Sequence, residues 1–525
     1  MRSAVVAVLL AASVAASLPA QVKERPLPRM VKKDGRHALF VDNAPYLMLG
    51  AQVHNSSAWP AMLPKVWSAM EYLNVNTVEI PVYWEQFEPR QGQYDHSVID
   101  ALLAGARQHR LRLVLLWFAT WKNGSQHYMP EWMKLAPERY THLTDKNGRP
   151  ADSPSPFATA SLEADKTAFT AFMRYLKAAD PERTVIMVQV QNEPGTWGPV
   201  RDYSPAAQKL FEAPVPAGIL TAMQVKPASP NANWQEAFGP EAEVNFHAWA
   251  VATYVGQVAA AGKAVYPLPL YANAALRDPL KPGAPGSYES GGPTDNVIPI
   301  WKVAAPALDI VAPDIYQNDP AAYLKVLELY HRDDNALFVP ETSSAPSTTR
   351  FFFSALGLQA IGYAPFGMDY TTPRNTPESL APTARNYRLI GPMQREIARL
   401  NFEGKLQAVA EEKGKVTQTL AFGPWNAVVS YGATRNNRAV GNAEPTGRIL
   451  VAQLKDNQFL VAGFYCRVDF RPADADKHRQ FLRVEEGTYQ NGVFKFLRIW
   501  NGDETDWGLN FGAEPLVLRV SVATY

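Results

Sequence analysis

Two glutamates have the sequence surroundings of a catalytic pair. Glu193 follows an apolar run that begins at Val185, and Glu341 follows another at 337–340. Pro194 disfavours the α region for the residue before it, which predicts an extended backbone at Glu193. Two carboxyl groups facing one pocket can cleave a glycosidic bond, because the protonated one supplies a proton to the leaving oxygen while the ionised one attacks the sugar carbon. A separation of about 5–5.5 Å retains the anomeric configuration, and about 6.5–9.5 Å inverts it.

A rhythm of short apolar runs and helical stretches from residue 47 to about 370 predicts the elements that position this pair. Either glutamate alone is more typical of a salt-bridge partner, so the pairing depends on the fold. Eight runs are the number that a closed parallel barrel requires, and active sites lie at the carboxyl ends of its strands. The sequence therefore predicts an α/β fold, a (β/α)8 TIM barrel, with Glu193 after strand four and Glu341 after strand seven. The predicted strands are 47–53, 77–83, 112–118, 185–191, 265–271, 310–315, 337–340 and 359–366.

The rest of the chain divides into a leader and a second domain. An apolar run at 4–16 and small residues before Gln21 resemble a signal peptide at 1–20, which predicts export to the periplasm or the medium. A buried helix or a membrane anchor is the alternative, but the run is shorter than the roughly 20 residues of a span. The barrel is predicted at 21–404. After a helix at about 383–400, alternating strands predict a C-terminal, sandwich-like β-rich accessory domain at 405–525.

Two connections, at about 198–243 and 276–300, are too long and too rich in Pro, Gly and Ser to be plain turns. Both follow strands on the presumed active face of the barrel. They are predicted to build a substrate cleft, with surface decoration as the alternative.

Composition excludes several classes of function. Lys and Arg total 51 against 50 Asp and Glu, a net charge of +1, so no nucleic-acid partner is expected. The single cysteine, Cys466, forbids an intrachain disulfide or a multi-thiolate metal site. The nine histidines include no His-Glu-x-x-His pair, and no phosphate-cradling glycine motif is present. Neither a metal nor an organic cofactor is predicted, and no membrane span is expected after the leader.

Two stretches of sequence resemble a known group of enzymes. Asn192-Glu193-Pro194 together with Glu341 resembles the retaining glycoside hydrolases of clan A. The segment TVEIPVYWEQFEP at 77–89, followed by GQYD at 92–95, is similar to the strand-two signature of glycoside hydrolase family 35, the β-galactosidases. The resemblance covers about 35–400. It implies that Glu193 is the general acid/base and Glu341 the nucleophile of an enzyme that removes terminal β-galactosyl residues by double displacement.

The same resemblance implies two supporting residues and shows two departures. Asn192 is expected to donate to the sugar 2-hydroxyl, and Tyr316 to hydrogen-bond the nucleophile. Typical members read Glu-Asn-Glu-Tyr-Gly where this chain has QNEPG at 191–195, and they carry a galactose-contacting carboxylate where it has WFATWKNG at 117–124. The chain therefore resembles a divergent branch of the family, associated with galactosyl side chains of plant polysaccharides such as xyloglucan.

Aromatic and polar residues near strand ends are predicted to bind a carbohydrate, because a pyranose has an apolar face that stacks on flat rings. Two of the four tryptophans are expected to touch the ligand and the others to pack. For His54, a structural role and a binding role are equally expected. Trp234 is a candidate for a leaving-group subsite. The predicted contacts are His54, Asn55, Tyr83, Trp84, Trp117, Trp121 and Trp197.

Three functions remain open at this stage. The first is an exported retaining exo-β-galactosidase, and the second is an endo-acting clan A β-glycanase, because Asn-Glu-Pro occurs in both. The third is a barrel that binds carbohydrate without cleaving it, which the altered contacts after strands three and four motivate. A β-galactoside is the predicted partner, and the oligomeric state is left open.

Overall fold

The computed structural model describes residues 24–433, 436 and 438–525. The predicted signal peptide at 1–20 lies outside the described residues. The strands are β1 Arg29–Lys33, β2 Arg36–Val41, β3 Ala44–Tyr46, β4 Met48–Gln52, β5 Thr77–Tyr83, β6 Arg112–Lys122, β7 His142–Thr144, β8 Pro150–Pro154, β9 Val185–Asn192, β10 Leu270–Ala275, β11 Ile310–Ile315, β12 Glu341–Thr342, β13 Gly362–Tyr363, β14 Leu406–Ala410, β15 Thr417–Phe422, β16 Trp425–Ser430, β17 Arg448–Lys455, β18 Gln458–Phe464, β19 Cys466–Pro472, β20 Arg479–Gln490, β21 Val493–Trp500, β22 Leu509–Phe511 and β23 Leu516–Thr524.

Fifteen α-helices and two 3₁₀ turns lie within the described part of the chain. The 3₁₀ turns are Gly239–Glu241 and Gly391–Met393. The helices are α1 Leu63–Leu73, α2 Trp84–Phe87, α3 Ser97–Gln108, α4 Glu131–Lys134, α5 Thr159–Ala179, α6 Pro205–Phe211, α7 Ala217–Ala222, α8 Trp234–Phe238, α9 Ala242–Val265, α10 Ile298–Ala304, α11 Pro320–Tyr330, α12 Phe351–Gly357, α13 Pro377–Ile390, α14 Gln394–Phe402 and α15 Asp503–Asp506.

Eight parallel strands form the barrel that the sequence predicts. In chain order they are β4, β5, β6, β9, β10, β11, β12 and β13, and each strand from β4 to β11 pairs with the next one in that order. The eighth, β13, pairs in parallel with the first, β4, and a parallel bridge from Val339 to Tyr363 closes the ring beside the seventh. The strands are buried along nearly their whole length, as in β9, because helices cover them on the outside. The predicted α/β barrel is confirmed.

Antiparallel strands fill the C-terminal part of the chain. One sheet has six strands in the order β14-β17-β18-β23-β20-β21, and a second has four in the order β15-β16-β19-β22. A shared hydrophobic core lies between them, with Trp425 from the smaller sheet and Phe459 from the larger. These two packed sheets confirm the predicted β-rich sandwich. The helix α14 ends at Phe402, and the first strand of the sandwich, β14, begins at Leu406.

The sequence placed the first four and the sixth barrel strands closely and missed the others by several residues. The predicted strands 77–83 and 310–315 coincide with β5 and β11. The fifth was predicted at 265–271, but α9 continues to Val265 and β10 begins at Leu270. The seventh and eighth contain two residues each, because only short parts of those apolar runs join the ladder. Among the described residues, no helix has both the length and the apolar character of a bilayer span.

Candidate active site

Three carboxyl groups meet at the carboxyl end of the barrel. Glu193 directly follows β9, Asp314 is the fifth residue of β11, and Glu341 begins β12. One carboxylate oxygen from each of the three lies within 4.8 Å of the others. Parallel strands end on the same side of a barrel, so residues far apart in the sequence converge there. The pair expected from sequence is therefore brought together, and Asp314 joins it.

The backbone at Glu193 differs from the extended geometry that Pro194 predicts. Glu193 has a φ of +43° and Gln191 a φ of +66°, both in the left-handed region. Two hydrogen bonds hold this turn: the Glu193 N–H donates to Asn273 Oδ1 at 2.9 Å, and the Gly124 N–H donates to the Glu193 carbonyl at 3.1 Å. The prediction for this backbone was wrong because tertiary hydrogen bonds outweigh the local preference. Strained backbone of this kind is frequent at functional sites.

The surroundings of Glu193 raise its pKa towards neutral pH. Burial raises the pKa of Glu193 to about 7, and the negative charge of Glu341 adds to the rise. The ammonium group of Lys122 and a hydrogen bond from Asp314 act in the opposite direction. A carboxyl group with such a pKa is matched to donating a proton near pH 7.

Asp314 is a functional residue that the sequence analysis missed. Its Oδ2 accepts a hydrogen bond of 2.6 Å from Asn273 Nδ2, and its carboxyl group is hydrogen-bonded to Glu193. Burial and the charges of Glu341 and Glu193 raise the pKa of Asp314 well above its usual range. Asp314 therefore carries the proton of this carboxyl–carboxyl hydrogen bond. The signal that could have revealed it was an acid at the end of strand six, two residues before Tyr316.

Glu341 is bound by two donors that favour a carboxylate. The Tyr316 hydroxyl donates to its Oε1 at 2.7 Å, and Gln52 Nε2 donates to its Oε2 at 2.9 Å. Hydrogen bonds to the charged form stabilise that form and fix its direction. The predicted proximity of Tyr316 to Glu341 is present, whereas Gln52, at the end of the first barrel strand, was not foreseen.

Further buried carboxyl groups surround the pair. Glu79 in β5 accepts a hydrogen bond of 3.2 Å from the Tyr271 hydroxyl. Burial raises the pKa of Glu79 well above its usual range, with a contribution from the charge of Glu341. Glu289, in the loop after β10, is buried beside Glu193, and burial also raises its pKa. Lys122 is a buried cation next to these acids.

The predicted polar contacts lie around this centre. Asn192 is fully buried, and neither atom of its amide has a hydrogen-bond partner. The backbone N–H and the Nδ1 of His54 lie 2.8 and 3.1 Å from the two oxygens of Asp369. Although burial acts against it, hydrogen bonds from His54 and Thr371 lower the pKa of Asp369 to about 2. Asn55 keeps a buried Oδ1 without a partner.

Three of the four tryptophans named as candidate ligand contacts are fully buried. Trp84, Trp117 and Trp121 have no exposed surface, so they do not line an open cleft. Trp117 stacks on Phe172 of α5, which places it in the layer between strands and helices. Strand residues alternate between the two faces of the barrel wall, so lying near a strand end does not aim a side chain at the site.

Two other predicted aromatic contacts have structural surroundings. Tyr83 is stacked between Trp59 and Tyr128, and its hydroxyl accepts a hydrogen bond from the backbone of Ala58. Trp234 is buried and packs against neighbours that include Phe246. Neither side chain offers an open face to a sugar.

Three large aromatic side chains around the site are exposed to solvent. Trp197 is 53% exposed, Tyr316 46% and Trp59 43%. Trp197 and Tyr316 were predicted to bind ligand, and Trp59 was missed because it lies in a turn well after its strand.

Among the described residues, Glu193, Asp314 and Glu341 have carboxylate oxygens close enough together to hold a metal ion. Gln52 and Tyr316 already donate to both oxygens of Glu341, and Asp314 shares a proton with Glu193. Both oxygens of Glu341 are therefore hydrogen-bonded within the protein.

Comparison with known families supports the class of the barrel. Residues 55–261 match the model of glycoside hydrolase family 42, described as β-galactosidase. Residues 383–512 match a family described as a domain of unknown function, DUF5597. Over this stretch the barrel is similar to glycoside hydrolases of clan A. The matched family is 42, whereas the sequence motifs resemble family 35. No curated protein matches the chain.

Solved structures with a similar arrangement share little sequence with this chain. The β-galactosidase from Rahnella sp. R3 is 14% identical over 68% of this chain and 58% of its own, with a TM-score of 0.49. The β-galactosidase from Bacillus circulans is 12% identical over 67% and 57%, with a TM-score of 0.48. The catalytic domain of β-amylase from Paenibacillus polymyxa is 12% identical over 60% and 91%, with a TM-score of 0.46. The chain spans less than two thirds of the length of these β-galactosidases.

Proposed function

We propose that the protein is a retaining, exo-acting glycoside hydrolase that removes terminal β-galactosyl residues, with Glu341 as nucleophile and Glu193 as general acid/base. The observation that carries this proposal is the spacing of the two groups: their carboxylate oxygens lie within 4.8 Å of each other. That spacing fits the retaining class and is too short for a water molecule to attack between them.

The first half of the reaction uses the two groups in opposite protonation states. An ionised oxygen of Glu341 attacks the anomeric carbon while the bond from that carbon to the leaving oxygen breaks. The proton of Glu193 passes to the leaving oxygen. The sugar is then held as an ester on Glu341, and Glu193 is left as a carboxylate.

The second half reverses these roles. The Glu193 carboxylate takes a proton from a water molecule, whose oxygen attacks the anomeric carbon and breaks the bond to Glu341. Two inversions at one carbon give net retention. The free amide of Asn192 suits a donor to the sugar 2-hydroxyl, and Tyr316 and Gln52 keep Glu341 aimed between the two steps.

The identity of the sugar rests on sequence likeness. The family 42 match is described as β-galactosidase, and the strand-two motif resembles the β-galactosidases of family 35. Both favour a β-galactosyl group, and the departures at 117–124 and 191–195 favour the branch that acts on side chains of plant polysaccharides such as xyloglucan. We further propose that the protein is exported to the periplasm or the medium, on the strength of the leader-like residues 1–20.

Single substitutions of the two glutamates test the mechanism. Glu193→Ala is expected to slow turnover by about 10²–10⁴-fold, the usual contribution of general acid–base catalysis. Glu341→Ala is expected to lose more, because no covalent intermediate can form. Azide should rescue both variants partly, giving a β-glycosyl azide with Glu193→Ala and an α-glycosyl azide with Glu341→Ala, as product NMR would distinguish. Glu328→Ala, an exposed residue of α11, serves as a control with unchanged rate.

Three outcomes would overturn parts of this proposal. An unchanged rate in either variant removes that residue from its role. A fall in the viscosity of a polysaccharide solution before any monosaccharide appears would assign an endo-acting β-glycanase instead. Binding of sugars without release from any aryl β-glycoside would assign a carbohydrate-binding barrel.

A further inference from the structure

Glu289 is a buried acid with no hydrogen-bond partner. It lies in the loop between β10 and α10, its side chain is almost fully enclosed, and neither carboxylate oxygen has a partner. A buried polar group without partners is costly, so it usually marks a place where a ligand or a water molecule completes the hydrogen bonds. The reaction scheme above makes no use of this residue.

Lys122 lies near Glu289 without contacting it. Lys122 is the last residue of β6, is 4% exposed, and donates a hydrogen bond to Asn123 Oδ1. The ammonium group acts electrostatically on both Glu289 and Glu193. The ion pairs within 4.0 Å in the described part of the chain do not include Lys122 with Glu289. Glu289 thus feels a buried ammonium group without forming an ion pair with it.

Trp197 and Glu289 both lie close to Gly124. A Cβ atom placed on Gly124 would lie 2.7 Å from Glu289 Oε1 and 2.9 Å from Trp197 Cδ1. The N–H of the same glycine donates to the carbonyl of Glu193. The half-exposed indole, the buried acid and the proton donor of the reaction therefore surround one turn of backbone.

Backbone contacts place Glu289 beside the segment that directly follows Glu193. Thr196 pairs with Ser290, and a Cβ atom on Gly195 would lie 2.9 Å from Glu289 Cγ. Glu289 is therefore a neighbour of the proposed acid. In a retaining mechanism the sugar ring lies between the nucleophile and the acid, and the leaving group departs on the acid's side.

We propose that Glu289, Trp197 and Lys122 form the subsite for the leaving group, and that this group is a pyranose with free hydroxyls rather than an apolar aglycone. The proposal rests on the proposed function and adds the chemical class of the leaving group. The exposed indole face stacks on the apolar face of the ring. One hydroxyl of the ring then donates to the carboxyl group of Glu289, which gives this buried acid its missing partner, and accepts from Lys122.

Two substrates that carry the same sugar but different leaving groups test this subsite. One is a disaccharide that carries the sugar accepted by the wild-type enzyme, and the other is the fluoride of that sugar, whose leaving group is too small to reach Trp197. For Trp197→Ala and Glu289→Gln, we expect kcat/KM on the disaccharide to fall about tenfold or more, a loss of about 1.4 kcal/mol. On the glycosyl fluoride, kcat/KM should stay within about twofold.

Two controls keep the result decisive. Trp507→Ala removes another half-exposed tryptophan, in the C-terminal sandwich, and should change neither rate. If Glu289→Gln fails to fold, the surface variant Trp197→Ala decides alone. Equal losses on both substrates, or none on either, would overturn the subsite while leaving the glycosidase intact. Absence of hydrolysis of any glycoside by the wild-type protein would instead overturn the proposed function.

Discussion

The two central glutamates differ in their surroundings rather than in their chemistry. Glu193 is buried beside other acids, which raises its pKa to about 7, whereas Glu341 receives hydrogen bonds from Tyr316 and Gln52 that favour a carboxylate. The division of labour between acid and nucleophile therefore follows from which neighbours donate and which repel. Residue type alone does not determine it.

Substitution of Asp314 is expected to move the pH dependence of the reaction. Turnover should fall as the pH rises through about 7, because Glu193 then loses the proton that it gives to the leaving group. Asp314 donates a hydrogen bond to Glu193 that lowers its pKa, so Asp314→Ala should raise that pKa and shift the alkaline limb of kcat/KM to higher pH.

Asp314→Asn is the matched control for this shift. An amide can still donate to Glu193 and accept from Asn273, so the alkaline limb should stay near its wild-type position. A limb that stays in place in Asp314→Ala, or moves equally in both variants, would contradict the positioning role of Asp314.

The sequence revealed the proposed catalytic pair better than the residues around it. Glu193 and Glu341 stand directly beside strand ends within recognisable motifs, so their convergence could be predicted. Asp314, Gln52 and Glu289 could not be, because the significance of each depends on contacts between distant strands and loops.

Among the elements, the helix α5 holds β6 and β9 in place, the two strands that end beside Glu193. Asp165 of α5 accepts hydrogen bonds from Trp117 Nε1 at 3.0 Å, Thr120 Oγ1 at 2.6 Å and Gln191 Nε2 at 2.6 Å. Gln191 lies two residues before Glu193, and its own Oε1 accepts from the backbone of Trp121. The end of β9 is thereby fixed to β6 and to the helix layer.

Removal of this brace should destabilise the barrel. Asp165→Ala removes the acceptor of three buried donors, of which Thr120 alone keeps another partner, the Tyr254 hydroxyl, and we expect it to lower the free energy of unfolding by about 3–5 kcal/mol. Thr167→Ala, a change on the exposed face of α5, should stay within about 0.5 kcal/mol. Denaturant titration followed by circular dichroism measures both. A loss below about 1 kcal/mol in Asp165→Ala would show that the network is not structural.

The elements could be predicted where apolar runs have clear ends. The β5 and β11 boundaries coincide with the pattern because a polar residue precedes each run and an aromatic residue follows it. The fifth strand was misplaced because α9 is apolar around most of its circumference, and its last turn at Val265 cannot be distinguished from a strand by composition. The short β12 and β13 reflect ladder geometry, which hydropathy does not encode.

For the molecule as a whole, the sandwich packs directly on the barrel. Residues of β14, β17 and β18 belong to the same hydrophobic cluster as the barrel core. At the end of α12, a Cβ atom on Gly357 would lie 2.1 Å from the carbonyl oxygen of Ala408 in β14. Only glycine permits this approach of helix to strand without displacement.

Substitution of Gly357 should therefore weaken the contact between the two parts. An alanine at the end of a helix usually stabilises it, but here we expect Gly357→Ala to lower the free energy of unfolding by about 1–3 kcal/mol, because β14 must move. Gly512→Ala, where a Cβ meets nothing within 4 Å, should be near neutral. Differential scanning calorimetry would compare them. A higher melting temperature for Gly357→Ala would contradict the tight contact.

The single thiol of the chain lies inside this sandwich. Cys466 is the first residue of β19, is buried, and has a pKa raised by burial. Alkylating reagents react with the exposed thiolate, so they cannot modify this residue while the two sheets remain packed. The rate of labelling therefore reports how often the two C-terminal sheets open. No engineered probe is needed to measure local unfolding of this domain.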